Sequence, residues 1–226
     1  MPFIRSINVA LPELVAYAPG KEIHSAIRKQ PVTGRIFLDT LGFSGDGSAD
    51  KYHHGGPDKA VCVYCADHYP FWEKELSRKI SCGAFGENLT VAELNESNMH
   101  IGDVFQIGEA KLQCTQPRQP CRKLMKIFDW KEMIARVKNT GFTGFYCRVL
   151  KSGWVHPKDS IELLKSDSAG FSVEQANRLR YEDRRNYDRM KELLAVEALS
   201  EEWREYFQDL LIKHTGEDTS SLLDGS

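Results

Sequence analysis

A chain of 226 residues, 41% hydrophobic and 27% charged, has room for one large domain, or one domain with a small appendage, around a sizeable core. The formal net charge of −2 gives no electrostatic case for nucleic-acid or membrane-surface binding, and no apolar run approaches the roughly 18 residues of a membrane span. The first ten residues lack the basic region, apolar stretch and cleavage site of a signal peptide, so the expected location is the cytoplasm, where thiols stay reduced.

Up to about residue 168 the chain reads as short strands separated by turns. Runs of β-branched and aromatic residues bounded by Gly, Pro, Asp or Asn predict strands over 4–9, 35–38, 61–64, 88–91, 104–107, 111–115, 145–150 and 160–164. Gly108-Glu109 predicts a hairpin, and Gly153 a turn before the last strand. Helices interrupt the series. One covers 67–77, with Tyr69, Phe71, Trp72 and Leu76 on one face; another opens at Cys121, with Leu124, Ile127 and Phe128 as its apolar face. Asp129-Trp-Lys-Glu132 reads as the capping box of a further helix, and Gly141 as the residue that ends it. Many short strands with occasional helices predict a mostly β fold, a barrel with α decoration.

From about Phe171 the pattern turns helical. Ser172-Val-Glu-Gln175 is a capping box for a helix ending near Tyr181, and Asn186 caps a second. Ser200 caps a third, along which Trp203, Phe207, Leu210, Leu211 and His214 keep a helical spacing. The expected organisation is a β-barrel domain over 1–168, a small three-helix region over 169–214 and a disordered tail over 215–226. Helices this short are marginal alone. They must pack on each other, on the barrel or on a second subunit, so a homodimer is one such arrangement. Arg178, Arg180, Arg184, Arg185 and Arg189 alternate with acids and read as a solvated face, not a site for polymeric nucleic acid.

Six cysteines are too sparse for a disulfide scaffold. Cys62 and Cys65 have the CxxC spacing, but in a strand positions i and i+3 face opposite sides, so both read as core residues. Two other segments break the strand pattern. The stretch 41–61 gathers Asp46, Asp50, His53, His54 and Asp58 with several glycines, and a loop of that composition is typically functional. The second is Gln116-Pro-Arg-Gln-Pro-Cys-Arg-Lys-Leu124, where two prolines hold the backbone extended before a helix begins at Cys121. A thiol in the first turn of a helix, among Arg118, Arg122 and Lys123, is placed to act as a thiolate that attacks electrophiles or ligates a soft metal. The same cations suit a phosphate beside it.

Leu41-Gly-Phe-Ser-Gly-Asp46, His54-Gly-Gly-Pro-Asp-Lys-Ala60, Gly86-Glu-Asn-Leu89, Ile101-Gly-Asp103 and the Gln116–Leu124 segment stand in an order that resembles the MOSC domain family, named for the C-terminal domain of molybdenum cofactor sulfurases. The likeness spans about residues 20–165 and is nearest to the stand-alone YiiM type, which the helical tail also fits. It implies a mostly β barrel and a molybdenum cofactor (molybdopterin) with Cys121 as ligand to the metal. Arg118 and Lys123 would then suit the pterin phosphate, Asn88 a polar edge of the pterin, and the Gly55-Gly56 backbone a wall of the pocket. The resemblance further implies Lys29 and His54 as catalytic partners of Cys121, with Arg28 adjacent to the one and His53 to the other. The implied activity is reduction of N-hydroxylated compounds, such as 6-N-hydroxylaminopurine and hydroxylamines, to amines. No flavin or nicotinamide motif is present, so the electrons must come from a separate reductase. Two other functions fit the same thiol. One is a non-catalytic cofactor or sulfur carrier; the other is a metal-free thiol enzyme with Cys121 as nucleophile and His54 as base.

Overall fold

The computed structural model describes residues 1–49 and 55–215. Its first part comprises strands β1 (Phe3–Val9), β2 (Glu13–Ala18), β3 (Lys21–Ser25), β4 (Gln30–Pro31), β5 (Ile36–Asp39), β6 (Gly42–Phe43) and β7 (Val61–Cys65), then helix α1 (Tyr69–Leu76) and β8 (Leu89–Ala92). β9 (Val104–Ile107) and β10 (Ala110–Pro117) precede α2 (Arg122–Phe128) and α3 (Met133–Thr140), and β11 (Phe145–Lys151), β12 (Gly153–Val155) and β13 (Ile161–Lys165) complete the β part. Helices α4 (Val173–Tyr181), α5 (Tyr187–Leu194) and α6 (Glu201–Thr215) follow. None of the helices in the described residues is long and apolar enough to cross a membrane.

Eight strands form one sheet in the order β13-β9-β10-β11-β7-β8-β1-β4, antiparallel except for the parallel pair β7–β8. The sheet curls until β13 meets the start of β1: Phe3 bridges Ser160, and the Ile161 amide donates to the Pro2 carbonyl at 2.9 Å. Ile4, Ile7, Leu89, Val91, Ile107, Leu112 and Val61 fill the interior with almost no exposure. β1 departs from strict alternation because its register against β8 shifts between Ile4 and Ser6, which returns Ile7 to the core side.

All five residues of β7 are buried, because both faces of this central strand are covered. Val61 and Val63 point into the barrel core, while Tyr64 packs outside it among Trp72, Phe85, Leu124 and Phe128 beneath α1 and α2. The outer face of β7 is therefore roofed by helices along part of its length and by a pocket along the rest.

Each of the eight expected strands is present, as is the Gly108 hairpin. The short β2–β3 hairpin, β4, β6 and β12 carry too little apolar alternation to be read from sequence. Two local expectations are corrected. Gly153 begins β12, paired to β5, and a Cβ there would lie 2.7 Å from Glu109, so the glycine permits close approach and does not make a turn. Asp129 is not an N-cap. It ends α2 in the left-handed conformation at φ 51°, its amide donating to the Lys126 carbonyl, and α3 starts after Glu132 with no side-chain cap. Only four residues separate the two helices, and the segment is used to stop one before it can cap the next. Gly141 ends α3 at φ 72° as expected.

In the helical region the Ser172–Gln175 capping box is fully formed, and the Asn186 side chain accepts from the Arg189 amide. Trp203, Phe207 and Leu211, spaced by four, are buried against Met190, Leu193 and Leu194 of α5 and against Ile101 and Phe171. The three helices thus pack on each other and on the barrel. The Ser200 amide donates to the Thr115 carbonyl at 3.1 Å, and the Val173 amide to that of Met99 at 2.9 Å. The expected disordered tail lies outside the described residues beyond Thr215.

Candidate functional site

The pocket on the outer side of the sheet has a volume of about 350 Å³. Cys62 and Tyr146 are register partners on β7 and β11, so their side chains share a face, and both line this pocket. Walls come from the segment after β3, from the loop after β6, from Gly55–Ala60, from Phe85–Asn88 and from the Arg118–Lys123 turn.

Cys121 lies half-buried in the last of these walls. It is the N-cap residue of α2, one position before the expected first turn, and its side chain makes no capping bond. α2 has only seven residues, so the cations around the thiol outweigh the helix dipole as its electrostatic surroundings. Of those cations, Arg118 and Lys123 line the pocket, whereas Arg122 is exposed and does not.

Arg118 is buried, its backbone extending the β10–β11 ladder through a bond from its amide to the Gly144 carbonyl at 3.0 Å. One guanidinium N–H donates to the Phe85 carbonyl, and the others have no partner among the described residues. Glu87 fixes that carbonyl. Fully buried, it accepts from the Tyr69 hydroxyl, from the amides of Gly83 at 2.8 Å and Phe85 at 3.1 Å, and from Thr90 at 2.7 Å. The Gly-Glu-Asn motif therefore shapes the loop that aims Arg118.

Lys29 is buried in the pocket wall and ion-paired with Asp46. The adjacent Arg28 is exposed and donates to the Ala16 carbonyl at 2.8 Å, so the fold brings Lys29 and not Arg28 to the pocket. Asp46 is a hub. Its Oδ1 also accepts from the Ala10 amide at 2.9 Å, and its Oδ2 from Asn88 Nδ2 at 2.7 Å. Asn88 borders the pocket, but its amide is committed to the scaffold: Nδ2 also donates to the Asn8 carbonyl and Oδ1 accepts from the Cys62 amide. It aligns strands and holds Asp46 more than it faces a ligand. Gly55 and Gly56 line the pocket, Gly56 at φ 94°, a positive angle that favours glycine. His53 and His54 lie outside the described residues.

The CxxC cysteines are both buried, as expected of core residues. Burial pushes the Cys62 thiol up to about 11 and the Cys65 thiol up to about 12. What the sequence did not reveal is that Cys62 borders the pocket. Asp46, Lys59 and Tyr146 were also missed as pocket residues. Asp46 and Lys59 stood in motifs that could have marked them, whereas Tyr146 carries no signal beyond that of a strand aromatic. Lys59 is ion-paired at 2.5 Å with Glu202 of α6.

Comparison with known proteins places these features. A family model described as the MOSC domain matches residues 50–162, and one described as the YiiM-like, 3-alpha helix domain matches residues 172–214. The Bacillus subtilis (strain 168) protein YflK is 52% identical over 204 residues, covering 90% of this chain and 92% of that protein. The crystal structure of YiiM from Geobacillus stearothermophilus is 33% identical with a TM-score of 0.81, covering 93% of this chain and 100% of that one. A protein of Gibberella moniliformis (strain M3125 / FGSC 7600) named as a reductase is 38% identical over 166 residues, which are 72% of this chain and 29% of that protein.

Proposed function

The chain belongs to the MOSC domain family and ends in a YiiM-like three-helix domain, and from that premise we propose that it reduces N-hydroxylated compounds to amines with a molybdenum cofactor. The substrates are of the 6-N-hydroxylaminopurine and hydroxylamine class. The observation that carries this reading is a half-buried thiol, Cys121, in the wall of a 350 Å³ pocket, beside guanidinium donors that no group among the described residues uses. The similarity to a fungal protein named as a reductase supports the reaction type.

The residues fit such a group. Among the described residues no cluster of three or more His, Cys, Asp or Glu side chains could hold an ion by itself. A metal arriving with sulfur donors of its own would need only one soft protein ligand, and Cys121 would be that ligand. When bound, the cofactor supplies the two-electron chemistry that removes oxygen from an N–OH group. Arg118 and Lys123 would hold its phosphate, and the Gly55-Gly56 backbone could approach it without side-chain hindrance. Reduction of N–OH consumes two electrons and two protons and yields N–H and water. Lys29, oriented by Asp46, and His54 deliver those protons. The electrons come from a separate reductase.

Protein made in a cofactor-competent host should contain molybdenum and pterin, and with a reductant should convert 6-N-hydroxylaminopurine to adenine. Cys121→Ser should lose the metal and at least 100-fold of the rate, on the order of what loss of a direct reaction-centre contact costs. A Cys121→Ala protein that still reduces the base at the parent rate would overturn the assignment. Molybdenum bound by the parent without turnover would make it a cofactor carrier instead.

A further inference from the structure

Buried tyrosine hydroxyls beside this pocket are partnered, with one exception. Tyr64 donates to the Phe142 carbonyl at 3.1 Å and accepts from Trp72 Nε1 at 2.6 Å, and Tyr69 donates to Glu87. Tyr146 is 7% exposed, yet its hydroxyl has no hydrogen-bond partner among the described residues. It is not shielded by apolar neighbours, because its side chain lines the pocket. The hydroxyl is therefore available to a group bound in the pocket.

The backbone leaves Tyr146 no freedom to turn elsewhere. It is paired to Cys62 on one side and to Gln116 on the other, and its carbonyl accepts from Thr115 Oγ1 at 3.0 Å. The ring therefore stays on the pocket face. Cys62, Arg118 and Cys121 line the same pocket, so the hydroxyl shares the cavity with the thiol at the centre of the proposed chemistry.

We propose that Tyr146 is a further catalytic residue, whose hydroxyl donates a hydrogen bond to the oxygen of the substrate's N-hydroxy group. This rests on the reductase reading and specifies how the departing oxygen is held. A phenol is protonated at neutral pH and so acts as a donor. It keeps its proton throughout. The two protons that complete the amine and the water come from Lys29 and His54, and the electron pair from the external reductase. A preorganised neutral donor aimed at an oxygen that gains negative charge as the N–O bond breaks favours the transition state over the ground state.

Tyr146→Phe removes only the hydroxyl and keeps the ring that packs the wall. Expected in the loaded enzyme are unchanged molybdenum and pterin content and a loss on the order of ten- to a hundredfold in kcat/KM for 6-N-hydroxylaminopurine, carried mainly by kcat. A second measurement needs no turnover. Hydroxylamine, which is transparent in the near-ultraviolet, is titrated into the parent while the tyrosine difference spectrum is recorded. The parent should give a saturable signal and the Phe variant none. If cofactor content falls in Tyr146→Phe, the hydroxyl serves the cofactor and the proposal is overturned. It is equally overturned if neither kcat/KM nor the difference spectrum changes. If the parent binds hydroxylamine with the tyrosine signal but never reduces it, the hydrogen bond stands and the reductase reading fails.

Discussion

Cys121 and Cys62 border one pocket, yet their surroundings separate them. Cys62 is fixed on a central strand, its amide donating to Asn88, and burial raises its thiol to about 11. Cys121 sits half-buried at a turn beside Arg118 and Lys123. Brief iodoacetamide treatment of the folded protein at pH 7.5, followed by peptide mass spectrometry, should label Cys121 first. Cys82, also half-buried but with its thiol raised by desolvation, should label more slowly. Cys62, Cys65, Cys114 and Cys147 should stay unlabelled until the chain is denatured. Labelling of Cys62 ahead of Cys121 would reverse the roles given to the two thiols. The setting of Cys121 was legible in the sequence, because prolines, cations and a helix start are all local. The pairing of Lys29 with Asp46 was not, since the two are 17 positions apart with three short strands between them.

At the scale of elements, the notable contact is the one α6 makes with the pocket. Glu202 in its first turn pairs with Lys59 and accepts from Gln119 Nε2 at 3.0 Å, so a single carboxylate ties together two walls that come from different loops. Asp58 adds a bond to Arg148, which in turn donates to the Ala198 carbonyl at 3.0 Å. Glu202 is 43% exposed, so Glu202→Gln should cost less than about 1 kcal/mol of stability. The alkylation rate of Cys121 should nonetheless rise severalfold, and hydrogen exchange should quicken over residues 117–123. An unchanged Cys121 rate would confine the helical region to a stabilising role. The caps of α4, α5 and α6 were all readable from their local spacing, whereas the false capping box at Asp129 shows the limit of that reading. Whether a polar residue starts or stops a helix depends on how much chain is left before the next element.

Across the whole molecule, a core that contains cysteines and tyrosines sets how stability depends on pH. The folded state keeps the Cys62 proton to about 11, while the unfolded chain releases it near the ordinary thiol value of about 8.5–9. Between those values the unfolded state binds fewer protons, so stability falls as pH rises; Cys62 alone accounts for about 3 kcal/mol, fully present below pH 8. The buried phenols of Tyr64, Tyr69 and Tyr146, all raised by burial, act in the same direction at higher pH. Urea midpoints measured from pH 8 to 10.5 should decline steadily, and Cys62→Ala should flatten the decline. Equal slopes in both proteins would rule out Cys62 as a source of the pH dependence.

The sequence by itself determined the eight main strands, the three C-terminal helices with their caps, the mostly β class and the local setting of Cys121. These features are written in alternation, spacing and local charge, which act over a few residues. Tertiary structure alone decided that the sheet closes Phe3 onto Ser160, that Asp46 orients Lys29, that Asn88 serves the scaffold, and that Glu202 braces the pocket. It also decided that Tyr146, one strand aromatic among several, presents to the site a hydroxyl without a partner among the described residues. Each of these depends on which distant segments meet, and that is fixed by how the curled sheet buries its apolar face.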